Sequence, residues 1–521
     1  MDSFDSHKVR LDKSGKLLSW YSPQSHAYDH IMKLAWEFIR KVPVEENGLK
    51  TYLAYSTFFR EPPYHGRTWP HHPPGLYAMF VDSVVKYYPY SGDADLIGIV
   101  REMVDYPLEH GLTPGDWVWP RIPFASSDSG AVKYQGADES IYTMKPPPHN
   151  YLNNLRPGTG DGIGVIEPDK ISEFGFALTQ FYRLTGERKY MDWALHFADV
   201  LSANARRGSF NMPPWPFRAY GLNGVAREEY TSNMVAHVKL LDEVIKEKDK
   251  AAYRKAKKAA WDWLVDYPLR NNKWKGYFED VMLDPMDQNR EQYTALETAR
   301  YLLTHREKAD PNWKARAKRI LDWVELTFGD RMWKATFINE QLRCFWPMAS
   351  HTARYASVCA LWYEVTGDEK YREEALGSLN ASTYFVREDG MVDTFHQRIV
   401  HGDDVIIHPD DPWFSDGYAD YIRHIMSTFG SIPSAAPPDE DHILRSSSVI
   451  SEVSYAEKDI RYQTLGAPSE EVLHLTFAPR KVEVDGRELE RMASGKSGWS
   501  FDARTRTLRV VHPAGRTRIH A

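Results

Sequence analysis

Four acidic residues of the chain are the first candidates for proton transfer. Glu279 and Asp280 are adjacent and follow an aromatic pair, a setting in which burial raises the pKa of a carboxyl group. Glu173 and Asp416 each stand at the start of a predicted helix. Two carboxyl groups that flank a glycosidic bond, one of them protonated, suffice for its hydrolysis. These four acids are therefore the predicted acid/base residues of a hydrolytic site.

A histidine and an arginine suit a different reaction. His351 and Arg354 lie three residues apart in a predicted helix over 348–366 and therefore share one face. Imidazole titrates near neutral pH, so His351 is a candidate base. A buried arginine needs an anion beside it, and for Arg354 this is either a protein carboxylate or a substrate carboxylate. A base beside a cation suits β-elimination at a uronate, where the C5 proton leaves and the carboxylate is neutralised.

Aromatic and basic residues of the same segments are candidate substrate contacts. The chain has 17 Trp, 30 Tyr and 22 Phe, and such rings either stack on sugar faces or fill a large core. The predicted binding residues are Trp117, Trp119, Tyr151, Arg156, Trp215, Arg218, Tyr293, Arg354, Trp413 and His72. Residues 393–421 are dense in His and Asp but have neither a His pair at i, i+4 nor an HExxH spacing. We therefore predict no metal site and no cofactor.

The elements that must position these residues are helices. Apolar residues recur at helical spacing over 28–42, 74–88, 95–110, 170–184, 188–205, 231–247, 251–267, 289–305, 312–328, 348–366, 369–384 and 415–429. Hardly a strand interrupts this series, so residues 28–432 are expected to form an all-α body.

The links between the helices alternate between two kinds. Links after the even-numbered helices are short and polar, and two of them lie in near-copies of one decapeptide, FYRLTGERKY (181–190) and WYEVTGDEKY (362–371). Glycine suits a left-handed helix C-terminus there, so the repeated unit is a helical hairpin. Links before the even-numbered helices are long and aromatic, at 51–73, 112–169, 206–230, 268–288, 330–347 and 385–414. In hairpins closed into a ring, alternate junctions lie at one end, so the six long loops are expected to share one face.

The C-terminal segment changes character after a Pro/Ala/acid linker near 432–442. Short alternating segments with turn signals follow, and they predict a small antiparallel β domain over 443–521. Residues 1–27 are expected to be an N-terminal extension.

Composition excludes several classes of protein. Lys and Arg (65) are outnumbered by Asp and Glu (72) and no basic tract occurs, which argues against nucleic-acid binding. No run approaches the ~18 apolar residues of a membrane helix, and residues 1–16 lack the apolar core of a signal peptide. With two cysteines a disulfide framework is not expected, so a cytoplasmic location is predicted, with a periplasmic or secreted chain whose leader has been removed as the alternative.

Six helical hairpins with long loops at one end, followed by a β module, resemble the six-hairpin glycosidase superfamily. The resemblance implies an (α/α)6 toroid in which the even-numbered helices form the inner ring and open with their N-terminal ends into a substrate cleft. Glycoside hydrolases, unsaturated-uronide hydrolases, polysaccharide lyases and sugar epimerases share this plan, and the β module resembles those appended to glycosidases and lyases.

The predicted function is that of a glycoside hydrolase that acts on oligo- or polysaccharides, with uronate-containing sugars favoured by the Arg and His residues of the loop face. The alternative enzyme is a polysaccharide lyase with His351 or a loop tyrosine as base. A sugar-binding protein without activity is the third possibility and would not depend on Glu279 or Asp280.

Overall fold

The chain forms a helical toroid followed by a β domain. The computed structural model describes residues 6–46, 48–55, 58–66, 74–124, 165–210, 212–229, 231, 233–274, 290–342, 344–402, 404–410, 417–466, 468–491 and 497–521. Its helices are α1 (Ala27–Lys41), α2 (Thr51–Ala54), α3 (Pro74–Ser91), α4 (Asp95–His110), α5 (Pro168–Thr185), α6 (Arg188–Ala203), α7 (Met234–Glu247), α8 (Ala251–Asp266), α9 (Pro268–Asn271), α10 (Tyr293–His305), α11 (Trp313–Phe328), α12 (Ala349–Thr366), α13 (Glu369–Thr383) and α14 (Tyr418–Ser431). Among these described helices, none has the length and apolar content that crossing a bilayer requires.

Six of the long helices form a closed inner ring. In ring order they are α3, α5, α7, α10, α12 and α14, and each packs on the next, with α14 returning to α3. The outer helices α4, α6, α8, α11 and α13 each pack on the inner helix that precedes them, whereas α1 packs on α14. The predicted fold class, an (α/α)6 toroid with a small C-terminal antiparallel β domain, is confirmed.

The hairpin turns form as the repeated decapeptide predicts. Gly186 ends α5 and Gly367 ends α12, both in the left-handed conformation with φ of 76° and 72°. The Gly186 N–H donates to Tyr182 O and the Gly367 N–H to Tyr363 O. These turns join the C-terminal end of an inner helix to an outer helix, so the N-terminal ends of the inner helices all lie at the opposite end of the ring, where the long connections enter.

The N-terminal segment and the connections between helices carry small sheets. Their strands are β1 (His7–Lys8), β2 (Val165–Ile166), β3 (Arg218–Tyr220), β4 (Ala226–Glu228), β5 (Gly329–Met332), β6 (Ala335–Gln341), β7 (Cys344–Pro347), β8 (Phe395–His401) and β9 (Asp404–Asp410). They pair in the orders β2-β3-β4, β5-β6-β7 and β1-β9-β8. The sequence indicated hardly a strand here. In β6 all residues but one are buried, so the alternation that marks a half-exposed strand is missing.

The C-terminal domain consists of two antiparallel sheets. Its strands are β10 (His442–Ser446), β11 (Ile450–Ala456), β12 (Asp459–Thr464), β13 (Ser469–His474), β14 (Lys481–Val484), β15 (Arg487–Glu488), β16 (Gly498–Asp502), β17 (Thr507–His512) and β18 (Gly515–His520). One sheet has the order β10-β13-β17-β16 and the other β11-β12-β18-β14-β15. Residues of both sheets form one apolar core, with Trp499, Leu508, Ile460 and Ile519 among its members.

The β domain is attached to the turn end of the toroid. His442 Nδ1 lies 3.0 Å from Tyr90 O, at the C-terminal end of α3. Arg445 forms a bidentate ion pair of 2.6 and 2.7 Å with Glu364, near the C-terminal end of α12. These contacts place the domain at the end of the ring opposite to the N-termini of the inner helices.

Candidate active site

The N-terminal ends of four inner helices meet around one carboxylate. Glu173, in the second turn of α5, has a side chain that is about 10% exposed. Its Oε1 accepts a hydrogen bond of 2.8 Å from the Tyr293 hydroxyl, at the start of α10, and one of 2.7 Å from Asn233 Nδ2, the N-cap of α7. Its Oε2 is buried and has no hydrogen-bond partner among the described residues. Glu173 is therefore held rigidly by one oxygen while the other remains available.

A second carboxyl group and a lysine accompany Glu173 on the same helix. Asp169 is fully buried, and its Oδ2 accepts from the Asn233 backbone N–H at 3.1 Å. Burial raises the pKa of Asp169, and the charge of Glu173 adds to this effect. Lys170 Nζ lies 3.9 Å from Asp169 Oδ2 and 3.9 Å from Glu173 Oε2. Lys170 therefore lies at equal distances from the two carboxylates and can compensate the charge of either.

A glycine permits the close approach of α3 to this group. A Cβ atom on Gly75 would overlap the Lys170 side chain and would lie 3.1 Å from Glu173 Oε2. Glycine at the start of α3 therefore makes room for the Lys170 side chain beside Glu173.

Below this level a buried ion network crosses the ring. Arg354 of α12 is fully buried and forms ion pairs with Asp420 of α14 and, at 3.3 Å, with Glu297 of α10. Burial alone would raise the pKa of Asp420, but Arg354 and Arg423 hold it well below its usual range. The Arg354 guanidinium also lies 4.2 Å from the centre of the Tyr293 ring. The sequence left a protein carboxylate or a substrate carboxylate as the partner of Arg354, and the structure shows protein carboxylates in that place. Arg354 contacts the site through the Tyr293 ring.

His351 is oriented as a donor by this network. Arg354 donates to His351 Nδ1 at 2.6 Å, and a guanidinium has no acceptor. Burial and the charge of Arg354 lower the pKa of His351 well below its usual range, so the imidazole is neutral with its proton on Nε2. The Nδ1 lone pair is therefore engaged by Arg354 in this structure, and the role of His351 as a catalytic base stays a prediction from the sequence.

Several predicted substrate contacts lie in the core. Trp215 is fully buried, stacks on His237 at 4.0 Å and donates its indole N–H to Leu201 O at 2.9 Å. Trp119 and Arg218 are also buried, at 2% and 0% exposure. A platform for a sugar needs an open face, which these residues and Arg354 lack in this structure, and their contact with substrate stays a prediction from the sequence. Trp117 is half-buried in the connection after α4 and keeps an accessible surface.

The remaining predicted residues fall in other parts of the chain. Glu279, Asp280, Asp416, Tyr151, Arg156, Trp413 and His72 lie outside the described residues. Within the described part, the structure brings Glu173 and Tyr293 together and adds Asn233 and Asp169, which the sequence analysis did not select. Asn233 was missed because the helix over 231–247 was expected to start before it, whereas α7 begins at Met234 and leaves Asn233 as its N-cap.

Glu291 is a further buried acid near the site. Its carboxylate accepts from the Thr294 backbone N–H at 2.9 Å and from the Thr294 hydroxyl, at the start of α10. Burial raises the pKa of Glu291 to about 7, so it is partly protonated at neutral pH. It is fully buried and stabilises the helix N-terminus.

One group of possible metal ligands occurs in the described part of the chain. His26, Asp439 and Glu440 lie close together where α1 begins and the linker to the β domain passes. The two acids are respectively exposed and half-buried, and His26 already pairs with Asp439 at 2.7 Å. Exposed groups of this kind are common without an ion, so we assign no metal to it.

Comparison with known proteins identifies the fold. No family model and no curated relative matches the sequence. Among solved structures, a sugar epimerase from a ruminal bacterium has a TM-score of 0.52 at 11% identity and covers 78% of this chain and 98% of its own. A D-mannose isomerase has a TM-score of 0.53 at 10% identity, with coverages of 78% and 97%. A cellobiose 2-epimerase from Spirochaeta thermophila has a TM-score of 0.50 at 12% identity, with coverages of 79% and 95%.

These structures place the chain in a fold class. The toroid has the (α/α)6 fold of these structures, as its hairpin repeats indicated. At these identities the likeness concerns the fold, and the chemistry has to be argued from the residues around Glu173.

Proposed function

We propose that the protein is a carbohydrate-active enzyme that hydrolyses glycosidic bonds, with Glu173 as one of its two catalytic carboxyl groups. The observation that carries the proposal is the asymmetry of Glu173, whose Oε1 is fixed by Tyr293 and Asn233 while Oε2 is free of hydrogen bonds within the described residues. A catalytic carboxylate must be held in one orientation and must keep one oxygen for the reaction.

The position of Glu173 supports a role in catalysis. It stands at the loop end of the inner ring, where the six long connections enter, and its neighbours come from three other inner helices. The solved structures of similar fold are named for enzymes that act on sugars, which supports a carbohydrate as the substrate. For the second carboxyl group, Glu279, Asp280 and Asp416 remain our sequence-based candidates.

The geometry favours hydrolysis over elimination. Elimination needs an unengaged base, but His351 Nδ1 accepts from Arg354 and the Tyr293 hydroxyl donates to Glu173. Glu173 is a carboxylate rather than an imidazole or phenol, and carboxyl pairs are the usual groups of glycoside hydrolysis.

We extend the proposal to sugars that carry a carboxylate. Lys239 of α7 and Arg423 of α14 line the same central cavity as Glu173. The Lys239 ammonium forms no ion pair with another described residue and lies 4.4 Å from the Phe176 ring. Because Asp82 already faces the charges of Lys239 and Arg423, the proposal of a uronate rests on the Arg and His residues of the loop face named in the sequence analysis.

The experiment is an incubation with neutral and uronate-containing oligosaccharides, in which new reducing ends and the ultraviolet absorbance of an unsaturated uronate are followed together. We expect reducing ends without absorbance, and a loss of at least ~100-fold in kcat for E173Q, the size expected when an acid/base group is removed. The control E247Q changes an acid at the other end of α7 that pairs with Arg188 on the surface, and it should keep full activity.

Three results would contradict the proposal. Absorbance together with reducing ends would establish elimination. Conversion of a free sugar without bond cleavage would establish epimerisation or isomerisation. Full activity of E173Q would remove Glu173 from the reaction.

A further inference from the structure

A groove lies on the outer wall of the toroid, between the end of α8 with the short helix α9 and the first turns of α11. Its volume of about 320 Å³ falls within the range of about 300–1,000 Å³ that is typical of small-molecule sites. Its lining includes the apolar side chains of Val265, Leu269 and Ala315 and the guanidinium groups of Arg270, Arg316 and Arg319. None of its described lining residues is acidic, although the whole chain carries a formal net charge of −7.

The three guanidinium groups are compensated unequally. Arg316 Nε lies 3.3 Å from the carboxylate of Asp310, which is buried. Arg270 lies 3.7 Å from Asp266, but the two side chains are 73% and 59% exposed, so this pair contributes little. Arg319 is exposed and forms no hydrogen bond or ion pair with another described residue. The groove therefore presents at least one arginine whose charge the described part of the chain does not neutralise.

Arg316 and Arg319 also repel each other. They lie three residues apart in α11 and therefore share one face of the helix, where like charges are unfavourable. Burial lowers the pKa of Arg319, and the charge of Arg316 lowers it further, with no described carboxylate acting against these two effects. An anion in the groove would remove this repulsion, because each guanidinium group can donate two parallel hydrogen bonds to a carboxylate.

From this arrangement we infer that the groove is a second binding site, distinct from the site around Glu173, that holds an acidic sugar unit by its anionic group. Arg316 and Arg319 donate to the carboxylate, and the accessible apolar side chains of Val265 and Ala315 contact the carbon-bound hydrogens of the ring. The choice of an anion follows from the charges of the groove alone, whereas the choice of a sugar rests on the proposed function.

The groove binds and does not cleave. Glu173 lies inside the ring at the N-terminal end of an inner helix, whereas the groove is formed by outer helices. A polymer that is attached at the outer wall has its remaining units close to the enzyme, so their effective concentration rises. The groove therefore adds affinity for polymers of acidic sugars.

The test is electrophoresis of the full chain in native gels that contain a polymer, where retardation measures binding. Polygalacturonate supplies acidic sugars, dextran supplies neutral sugars, and polyglutamate supplies carboxylates without sugar. We expect retardation by polygalacturonate and a Kd that is about 10- to 100-fold higher for R319A, the effect of losing a hydrogen bond to a charged group. The control R254A removes another exposed arginine of the outer helices, which pairs with Asp249 and does not line the groove, so its Kd should stay within about twofold of the wild type.

The outcomes separate this inference from the proposed function. Equal retardation of R319A and R254A would overturn the inference, even if the protein hydrolyses sugars. Retardation by polyglutamate as strong as that by polygalacturonate would overturn the assignment of a sugar, and equal retardation by dextran would overturn the role of the anionic group. Retardation that depends on Arg319 in a protein that cleaves no glycosidic bond would support the inference and overturn the proposed function.

Discussion

Replacement of Asp420 by asparagine tests whether the buried ion network holds the inner ring together. Asp420 lies in the first turn of α14 and is 3% exposed. It pairs with Arg354, accepts from Arg423 Nε at 2.6 Å and lies 3.0 Å from His424 Nε2. The D420N substitution keeps the shape of the side chain but removes its charge. Within the described part of the chain, Arg354 then keeps Glu297 at 3.3 Å and Arg423 keeps Asp82 at 3.5 Å as their carboxylate partners.

The expected cost follows from the burial of the partners. Breaking a buried ion pair by removal of one partner costs about 3–5 kcal/mol, because the other charge stays buried without compensation. With an unfolding entropy of about 2.1 cal/mol/K per residue, a chain of 521 residues loses about 3–5 °C in Tm. We expect this shift in calorimetry and the corresponding loss of unfolding free energy in urea at 25 °C.

A surface aspartate provides the matched control. Asp322 of α11 accepts from Lys318 at 2.6 and 2.7 Å and from the Tyr371 hydroxyl at 3.0 Å, and its side chain is 51% exposed. An asparagine oxygen can still accept from Tyr371, so D322N removes the ion pair alone. D322N should cost no more than about 1 kcal/mol, since water replaces the lost charge interaction. If D420N also stays within 1 kcal/mol of the wild type, the two arginines do not depend on Asp420, and the assignment of the network as a structural support of the site is wrong.

Two further substitutions test the site and its pH dependence. G75A should lower kcat at least ~10-fold, because the added Cβ displaces Lys170 and lies 3.1 Å from Glu173 Oε2. G98A has open space around it in α4, so it should keep activity and gain up to about 1 kcal/mol of stability. Equal activities of the two variants would contradict this role of Gly75. Glu291 has a pKa raised by burial from 4.5 to about 7, so its protonated form is favoured in the folded state, and the stability that it contributes is full below about pH 4.5 and is lost as pH rises through about 7. The urea-unfolding free energy of E291Q relative to the wild type should therefore become more favourable by about 3 kcal/mol between pH 4.5 and 8, and a constant difference would show that Glu291 is ionised in the folded protein.

The sequence determined the architecture because its signals are local. Apolar recurrence at helical spacing located the long helices to within a few residues at most ends, and the repeated decapeptide located two hairpin turns at Gly186 and Gly367. The alternation of short and long links then implied a ring with one loop-bearing end. Each of these signals depends on neighbouring residues along the chain and on backbone preferences, which a single sequence displays.

The sequence also selected Glu173 and Tyr293, because both stand near the start of an inner helix and the alternation of links predicted that these helix starts share the loop-bearing end of the ring. It could not show that their side chains meet at 2.8 Å, since the two residues are 120 positions apart. Short strands such as β6 were not predicted, because burial on both faces removes the alternation of polar and apolar residues that marks a strand.

Only the tertiary structure decided which polar residues are engaged and which are available. Arg354 and His351 have the residue types of a catalytic pair. In the structure Arg354 forms buried ion pairs with Asp420 and Glu297 from two other helices and donates to His351 Nδ1. Trp215 has a side chain that could stack on a sugar, but it is buried in the core. The availability of one oxygen of Glu173 depends on contacts across four helices. Burial and hydrogen-bond partners are properties of the packed chain, so the residue types and their spacing fix the candidates while packing fixes their roles.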